Sequence, residues 1–386
     1  MARGASLGEH RVEGVHIFDL RKRTILLAVS GSRAYGLHRP ESDVDVRGVA
    51  IPPAEYFHGF LNRFEQADQD AEIQVFLGDL TDAERQICVD TKLEGSVYGL
   101  RKFARLAADC NPNILDVIFC RDEEVRVCTP LGEALRAHRD AFLSTKARHT
   151  YSGYAMSQLK RIKGHRKWLL EPPLTPPTRG EYDLPETTLL PREQLEAGEA
   201  AVRKKLDSWE IDFGDLAPSA ILNLQERISS MLAEQVGSAD ARWEASARAV
   251  GLDANLIAVM DRERRYKAAH RGWKQYQGWK KNRNPARAAL EAKFGYDTKH
   301  AAHLVRLLRM GREILETGEV HVWRGGIDAD ELKAIRGGVW SYDELVENAD
   351  GELAKFDDLE KGAVLPKKPN RNQLDALVIS LVEAAL

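Results

Sequence analysis

Two closely spaced aspartates, Asp43 and Asp45, are the residues of this chain best suited by type and spacing to chemistry. They alternate with Val44 and Val46. In a β-strand successive side chains point to opposite faces, so the carboxylates share one face and the valines face the core. Two carboxylates on one face repel each other unless a cation lies between them, and hard oxygen ligands select Mg²⁺. The pair therefore predicts a site for Mg²⁺ or Mn²⁺.

A Gly-Ser turn before the aspartates is suited to hold an anion. Residues 24–29 form an apolar run that predicts a buried strand, and Gly31 and Ser32 interrupt it. A loop or short helix that opens there directs backbone N–H groups and the Ser32 hydroxyl outward, towards a phosphate. Each motif alone is common in exposed turns and strands. Their occurrence in order, as strand, turn, spacer and acidic strand, favours a nucleotide site.

A third carboxylate is expected on a neighbouring strand, because a site for two metal ions typically uses three acidic groups. Glu94 directly precedes an apparent strand at residues 94–98 and is the preferred candidate. Asp90 is the alternative, and Asp79 has the features of a loop residue.

Composition restricts the class of protein. The 386 residues predict one to three domains, and the net charge of −3 means that any nucleic-acid-binding surface must be local.

Neither a signal-peptide core nor an apolar run near the roughly 20 residues of a membrane span occurs, which predicts a soluble, cytoplasmic protein. Four cysteines without a C-x-x-C pair predict reduced thiols rather than a zinc site. They are Cys88, Cys110, Cys120 and Cys128.

The elements that position the candidate residues belong to an α+β fold with two parts. Residues 1–140 alternate between strand-like and helix-like patterns and are predicted to form the catalytic domain, whereas residues 141–386 are predicted to form a larger helical body. We also expect a short strand at residues 73–77, an amphipathic helix at residues 100–107 and an extended connector at the proline-rich residues 172–177. Two or more long helices are expected between about 193 and 317.

A basic stretch within the helical body could bind an acceptor. Residues 261–324 contain 16 Lys and Arg against 7 Asp and Glu, a local charge of +9. Four aromatic residues recur there at roughly helical spacing, interleaved with cations. They are Tyr266, Trp273, Tyr276 and Trp279. Such rings stack bases in nucleic-acid-binding proteins, but the same spacing is also typical of core residues, and both interpretations stay open.

A second basic cluster opens a predicted helix near residue 298. Asp297 is a suitable N-cap, and His300, His303 and Arg306 follow at spacings of three. Lys299, His300 and His303 are therefore candidates for binding a phosphate of the nucleotide or of the acceptor. A metal site made of the two histidines and Asp297 is the weaker interpretation, since cations lie close by.

These motifs resemble the DNA polymerase β-like nucleotidyltransferase superfamily and, within it, the predicted nucleotidyltransferases of the RNA repair pathway, YcgL-like members included. The segments that carry the resemblance are residues 31–36, 42–48, 98–103, 111–113, 158–162, 167–170 and 294–301. They extend over nearly the whole chain. The resemblance implies a palm-like head with a small mixed β-sheet. By position it implies that Gly31 and Ser32 hold the β- and γ-phosphates of a nucleoside triphosphate. Arg33 of the same motif is a further candidate for nucleotide binding.

The resemblance also implies a metal-dependent reaction. Asp43 and Asp45 would be metal ligands, and Glu94 falls at the family's third acid, four residues before a tyrosine, where aspartate is more frequent. An acceptor hydroxyl would attack the α-phosphate in line and release pyrophosphate. RNA is the favoured acceptor. The alternatives are a protein or small-molecule acceptor, or a non-catalytic nucleic-acid binder.

Overall fold

The computed structural model describes residues 18–187 except 41 and 92, short stretches at 193, 196–198, 200–201 and 247–248, and residues 251–386 except 284. It divides the chain into two compact units. One contains Met1–Leu169 and Pro285–Leu386, and the other contains Leu170–Asn284. The predictions for the extreme N-terminus and for most of residues 193–253 lie outside the described residues.

A five-stranded mixed sheet forms the centre of the first unit. Its strands are β1 (Thr24–Ser30), β2 (Asp45–Ala50), β3 (Gln66–Ala67), β4 (Glu94–Gly99) and β5 (Val125–Cys128), in the spatial order β3-β4-β2-β1-β5. Strands β2 and β4 are parallel, and the other neighbours are antiparallel. The predicted α+β fold with a small mixed sheet is confirmed, as are the strands predicted at residues 24–29 and 94–98.

Helices surround this sheet. Those before residue 140 are α1 (Leu20–Arg23), α2 (Gly31–Ala34), α3 (Glu55–His58), α4 (Asp70–Ile73), α5 (Asp82–Asp90), α6 (Leu100–Ala108), α7 (Pro112–Ile118) and α8 (Pro130–Ala137). The later helices of the same unit are α9 (Ala147–Leu170, whose last residue is assigned to the second unit), α11 (Pro285–Phe294), α12 (Thr298–Thr317), α13 (Ala329–Arg336), α14 (Tyr342–Gly362) and α15 (Arg371–Ala385). Helix α10 (Ala254–Lys281) belongs to the second unit.

The strand predicted at residues 73–77 is wrong. Helix α4 ends at Ile73, and a 3₁₀ segment occupies Gln74–Asp79. Ile73 and Phe76 are both fully buried while Val75 is exposed, so the apolar positions recur every three residues rather than every two. A capping box between Gln69 and the residue three positions into the helix starts this helical turn.

The sheet is covered on both faces. The larger core joins Leu26 and Val49 of the sheet to Phe103 of α6 and to Leu304 and Phe356 of α12 and α14. A smaller core on the other side includes Leu27, Val46 and Val97. The helix predicted at residues 100–107 is confirmed with its apolar face buried. Because β2 alternates, Asp45 and Arg47 lie on the same side as Val49, towards the larger core.

The compact units do not follow the boundary proposed at residue 140. Residues 285–386 belong to the same unit as the sheet, because α12 and α14 bury their apolar side chains in its larger core. The division of functions between residues 1–140 and 141–386 stays a prediction. None of the described helices is long and apolar enough to cross a membrane. All four cysteines are free thiols.

Candidate active site

Asp45 lies where three strands meet. It is the first residue of β2 and is in register with Ser30, the last residue of β1, and with Glu94, the first residue of β4. Partners in register point to the same face of a sheet, so the Asp45 and Glu94 carboxylates lie side by side. The buried Oγ of Ser30 makes no hydrogen bond with a described residue. Three polar side chains therefore converge at the end of the sheet that carries the Gly-Ser turn.

Gly31 allows the turn to approach this carboxylate. Its φ of 64° is in the left-handed region, and a Cβ at this position would lie 2.4 Å from Oδ2 of Asp45. Only glycine meets both conditions without strain. The backbone of Gly31 therefore lies against the Asp45 carboxylate, and Ser32 lines the same cavity as Asp45.

Arg33 has a different position from the one expected of a phosphate ligand. Its guanidinium donates to the carbonyl oxygens of Ser42 and Asp43, at 2.7 and 3.0 Å. The Ser42 hydroxyl in turn accepts from the backbone N–H of Arg39 at 2.9 Å. Arg33 thus ties the turn to the segment that carries Asp43, and its side chain does not line the cavity described below. In this structure it holds the position of Asp43.

Negative charge is concentrated around Asp45. Burial, together with the charges of Asp43 and Glu94, raises the pKa of Asp45 to about 6. Arg47 and Lys299 act in the opposite direction. A divalent cation would relieve the repulsion, and an all-oxygen donor set fits Mg²⁺ or Mn²⁺.

The carboxylates are not drawn tightly together. Among the described residues, the one group of three possible ligand side chains whose ligand atoms all lie within 4.8 Å of one another is His165, Glu291 and Asp297. Asp43, Asp45 and Glu94 do not meet this spacing as a group of three.

The three candidates for the third acid have different surroundings. Asp79 accepts two hydrogen bonds from Arg21, at 2.7 and 2.8 Å, on the outside of the unit. Asp90 is the exposed last residue of α5. Glu94 alone of the three is in register with Asp45.

A cavity of about 310 Å³ opens beside Asp45, between the sheet and α12. Of the predicted site residues, Gly31, Ser32, Asp43, Asp45, Lys299, His300 and His303 line it. Glu94 and Arg33 do not. Seven cations line the same cavity, namely Arg47, Arg161, Arg287, Lys299, Arg306, Lys333 and Arg336. With two aspartates against them, the cavity is strongly positive and suits a polyphosphate.

Most of these cations were missed by the sequence reasoning. Arg47 continues the alternation of Asp43 and Asp45, so its place on the same face was readable from the sequence. Arg306 was recognised at the spacing of three from His300, but not as a candidate site residue. No pattern in the sequence indicates Lys333 and Arg336 of α13, because only tertiary packing brings that helix to the cavity.

A buried polar network lies behind His303. Arg306 donates to Nδ1 of His303 at 3.0 Å, and its guanidinium lies 3.6 Å over the centre of the Tyr35 ring. The Tyr35 hydroxyl donates to Asp116, whose carboxylate is 4.0 Å from the Arg306 guanidinium. Burial, together with the Arg306 charge, lowers the pKa of His303 to about 2. Tyr35 is the tyrosine of the Gly-Ser motif, so the network joins that turn to α12.

A second network holds the start of α12. Asp297 is fully buried and its Oδ1 accepts from the N–H of His300 at 3.0 Å, which confirms it as the N-cap. Its Oδ2 lies 3.5 Å from both Arg287 and the His300 ring. Burial lowers the pKa of His300 to about 4. Because the Arg287 guanidinium already balances this carboxylate, the group with His165 and Glu291 is better suited to positioning Arg287 and His300 than to binding a metal.

In the second unit, the aromatic residues of α10 form a row. Tyr276 is buried, and Tyr266, Trp273 and Trp279 are partly exposed. Tyr276 and Trp279 have ring centres 5.9 Å apart, and the Arg283 guanidinium lies 4.4 Å from the Trp279 ring centre. One member is thus a core residue, and the others combine aromatic and cationic surface.

The fold and the site combine a small mixed sheet, an acidic pair at the end of one strand, a Gly-Ser turn and a cationic cavity. Residues 9–169 match the family model described as RlaP, the RNA repair pathway DNA polymerase beta family. The predicted resemblance is confirmed over these residues. Its extension to residues 294–301 lies beyond the match and stays a prediction.

A phage protein is similar to part of this chain. The chain is 26% identical over 149 residues to an uncharacterized 38.9 kDa protein in the nrdC-mobD intergenic region of Enterobacteria phage T4. The alignment covers 37% of this chain and 40% of the phage protein, so the chain matches less than half of that relative's length. No solved structure gives a significant match.

Proposed function

We propose that this protein transfers a nucleoside monophosphate from a nucleoside triphosphate to a hydroxyl group of RNA, with release of pyrophosphate. The observation that carries the proposal is the register of Asp45 with Glu94, beside Gly31 and within a cationic cavity. It combines acidic groups for divalent metal ions with a surface for a triphosphate. The match to an RNA repair pathway family supports the same reaction class.

The side chains of the cavity have distinct roles in this proposal. Asp43, Asp45 and Glu94 would hold Mg²⁺ or Mn²⁺. Such ions, when bound, polarise phosphoryl oxygens and lower the pKa of an attacking hydroxyl. The Gly31 backbone and the Ser32 hydroxyl orient the triphosphate beside them.

The cations neutralise the remaining phosphate charge. Lys299 lies close enough to Asp45 to affect its pKa, so it is suited to the phosphate next to the metal. Lys333 and Arg336 line the cavity from α13. Fixed positive groups in a partly buried cavity stabilise the charge that develops on the leaving pyrophosphate.

RNA is the acceptor that the charges favour. Helix α10 carries eight Lys and Arg against two Asp and Glu, and three of its aromatic residues are partly exposed. Cationic surface with interleaved aromatic rings binds single-stranded nucleic acid through phosphates and base stacking. A protein or small molecule would use little of this surface, which is why we place these acceptors second.

The proposal is tested with α-labelled nucleoside triphosphates, Mg²⁺, RNA pools and a total protein extract. We expect label in RNA with wild-type protein and a loss of at least about 100-fold in Asp45→Asn. Lys22→Gln, which changes an exposed lysine on α1, is the matched control and should label RNA like the wild type. Label in protein bands and none in RNA would overturn the RNA acceptor. Equal RNA labelling by Asp45→Asn and wild type would overturn the reaction.

A further inference from the structure

We propose that His303 serves the nucleotide as a fixed neutral hydrogen-bond donor, whose Nε2–H is directed to a phosphate oxygen because Arg306 occupies Nδ1. The inference rests on the proposed function for the identity of the ligand. It goes beyond that function by assigning one tautomer to His303 and by making Arg306 and Asp116 positioning residues.

The first step is the hydrogen bond between Arg306 and His303. An arginine guanidinium has only donors, so the ring nitrogen that it contacts must be an unprotonated acceptor. The contact is at Nδ1, at 3.0 Å. The ring proton of a neutral His303 must therefore be on Nε2. His303 lines the cavity, and its Nε2 has no hydrogen-bond partner among the described residues. Nε2–H is thus the polar group that His303 offers to a ligand.

The second step is that Arg306 cannot readily turn away. It is 1% exposed, its guanidinium is stacked over Tyr35, and it donates to the sulfur of Met310 at 2.9 Å. Asp116, itself buried, supplies the counter-charge at 4.0 Å and accepts from the Tyr35 hydroxyl. The chain Tyr35–Asp116–Arg306 therefore holds the tautomer of His303 from behind, as second-layer hydrogen bonds do for histidines in many sites.

The third step is that His303 remains uncharged. Arg306 contacts the His303 ring, and Arg47, Lys299 and His300 lie nearby. The carboxylates that line the same cavity are Asp43 and Asp45, against seven cations. A second ring proton would add a positive charge to a buried, already positive place. Burial and the nearby cations therefore favour the neutral ring, and the Arg306 contact at Nδ1 leaves Nε2–H as the donor. His303 is not a general base, because Nε2 already carries its proton.

Lys299 decides which part of the nucleotide receives this donor. It precedes His303 by one helical turn on α12 and lies near both His303 and Asp45. Because the metal-binding carboxylates and Lys299 define the phosphate end of the cavity, the Nε2–H faces a phosphate oxygen rather than the base.

The binding of ATP and of inorganic tripolyphosphate to three variants of His303 tests its role as a hydrogen-bond donor. A glutamine amide can place an N–H near the position of Nε2, whereas asparagine places it near Nδ1 and alanine has none. We expect His303→Gln to bind ATP and inorganic tripolyphosphate within about threefold of the wild type, and His303→Ala and His303→Asn to bind both about tenfold more weakly. The exposed His138, bonded to the carbonyl of Ala134, provides the control His138→Gln. Equal losses in the Gln and Ala variants, or no loss in Ala, would overturn the proposal. A loss for ATP alone would overturn the assignment to phosphate.

The ring ¹⁵N signals of His303 in the free protein test the tautomer independently of nucleotide transfer. We expect a protonated Nε2 and an unprotonated Nδ1 that do not change between pH 5 and pH 8, with the signals assigned by their absence in His303→Gln. In Asp116→Asn we expect a mixture of tautomers together with weaker tripolyphosphate binding. A ring that titrates in this range, or a protonated Nδ1, would overturn the tautomer. If the ring signals and tripolyphosphate binding are unchanged in Asp116→Asn, the positioning role of Asp116 would be overturned. Failure of RNA labelling alone would contradict the proposed function and leave these signals unaffected.

Discussion

Asp45 is a carboxylate in surroundings that oppose its charge. Burial, Asp43 and Glu94 raise its pKa to about 6, above the 3.8 of an ordinary aspartate. Between these two pH values the folded protein keeps a proton that the unfolded chain has released, so the free energy of unfolding falls as the pH rises. Asp45 therefore lowers the free energy of unfolding of the metal-free protein at neutral pH, and a bound cation would reverse this effect.

The first prediction concerns Asp45→Asn. Without metal, we expect the variant to equal the wild type in stability near pH 4 and to be more stable by about 1–2 kcal/mol above pH 6. Mg²⁺ should stabilise the wild type and leave the variant unchanged. Urea denaturation at pH 4.5 and pH 7.5, with EDTA or Mg²⁺, measures both effects. A variant less stable than the metal-free wild type at pH 7.5 would contradict the account.

The second prediction concerns Gly31→Ala. The new Cβ would meet Oδ2 of Asp45 at 2.4 Å in a left-handed backbone, so we expect a loss of about 1–3 kcal/mol in stability and strongly reduced ATP binding. Gly153, within α9, has nothing within 4 Å of its Cβ position. Gly153→Ala should therefore stabilise by about 0.5–1 kcal/mol and leave ATP binding unchanged. Denaturation and calorimetric titration distinguish the two.

For single residues, the sequence predicts those positions that strand alternation and local spacing determine. Asp43, Asp45 and the Gly-Ser turn belong to this category, and so does Arg47, whose place on the same face was overlooked. The bond between Arg306 and His303 could be suspected from their spacing of three. Its link to Asp116, which is far away in the chain, depends on packing and could not.

Helix α12 is the element that brings cations to the sheet. Its apolar side packs into the larger core, and its first turns carry Lys299, His300 and His303 into the cavity. The buried Asp297 caps this helix and contacts Arg287 and His300. The cap therefore serves both the stability of the helix and the position of the cavity residues.

The third prediction compares two helix caps. Asp297→Ala removes the cap of α12 and a buried carboxylate 3.5 Å from Arg287, so we expect a loss of about 2–4 kcal/mol in stability and at least tenfold weaker ATP binding. Ser341 caps α14 through a capping box. Ser341→Ala should cost only about 1 kcal/mol and leave ATP binding unchanged. Equal ATP binding by both variants, measured by calorimetry, would contradict the role of Asp297.

Predictions of elements succeeded where the apolar period was unambiguous. The helix at residues 100–107 has four apolar residues at helical spacing, and all four are buried. Residues 73–77 are too few to distinguish an apolar period of two from one of three. The capping box at Gln69 starts a helical turn directly before them.

The whole molecule is organised by two distant stretches of chain that form one core. Residues 1–169 contribute the sheet, and residues 285–386 contribute helices that bury Leu304, Leu308 and Phe356 in the same core. Such an arrangement is invisible to a boundary search along the sequence, because the composition changes near residue 140 while the packing continues beyond it.

The fourth prediction follows from this organisation. A chain in which residues 170–284 are replaced by a flexible Gly/Ser linker should fold and bind ATP within about threefold of the full chain. It should bind RNA more weakly and with a smaller salt dependence, because the cations of α10 are removed. Residues 1–169 alone should not fold cooperatively, since the core residues contributed by residues 285–386 are missing. Circular dichroism melting and filter binding at several salt concentrations test these outcomes.

The most direct test of the central claim follows two labels of one nucleotide. Wild-type protein with Mg²⁺ and RNA should move the α-phosphate of the nucleoside triphosphate into RNA and release the γ-phosphate as pyrophosphate, in equal amounts. Asp45→Asn should do neither. Transfer of the γ-phosphate to RNA, or α-label in RNA that is independent of Asp45, would contradict the account.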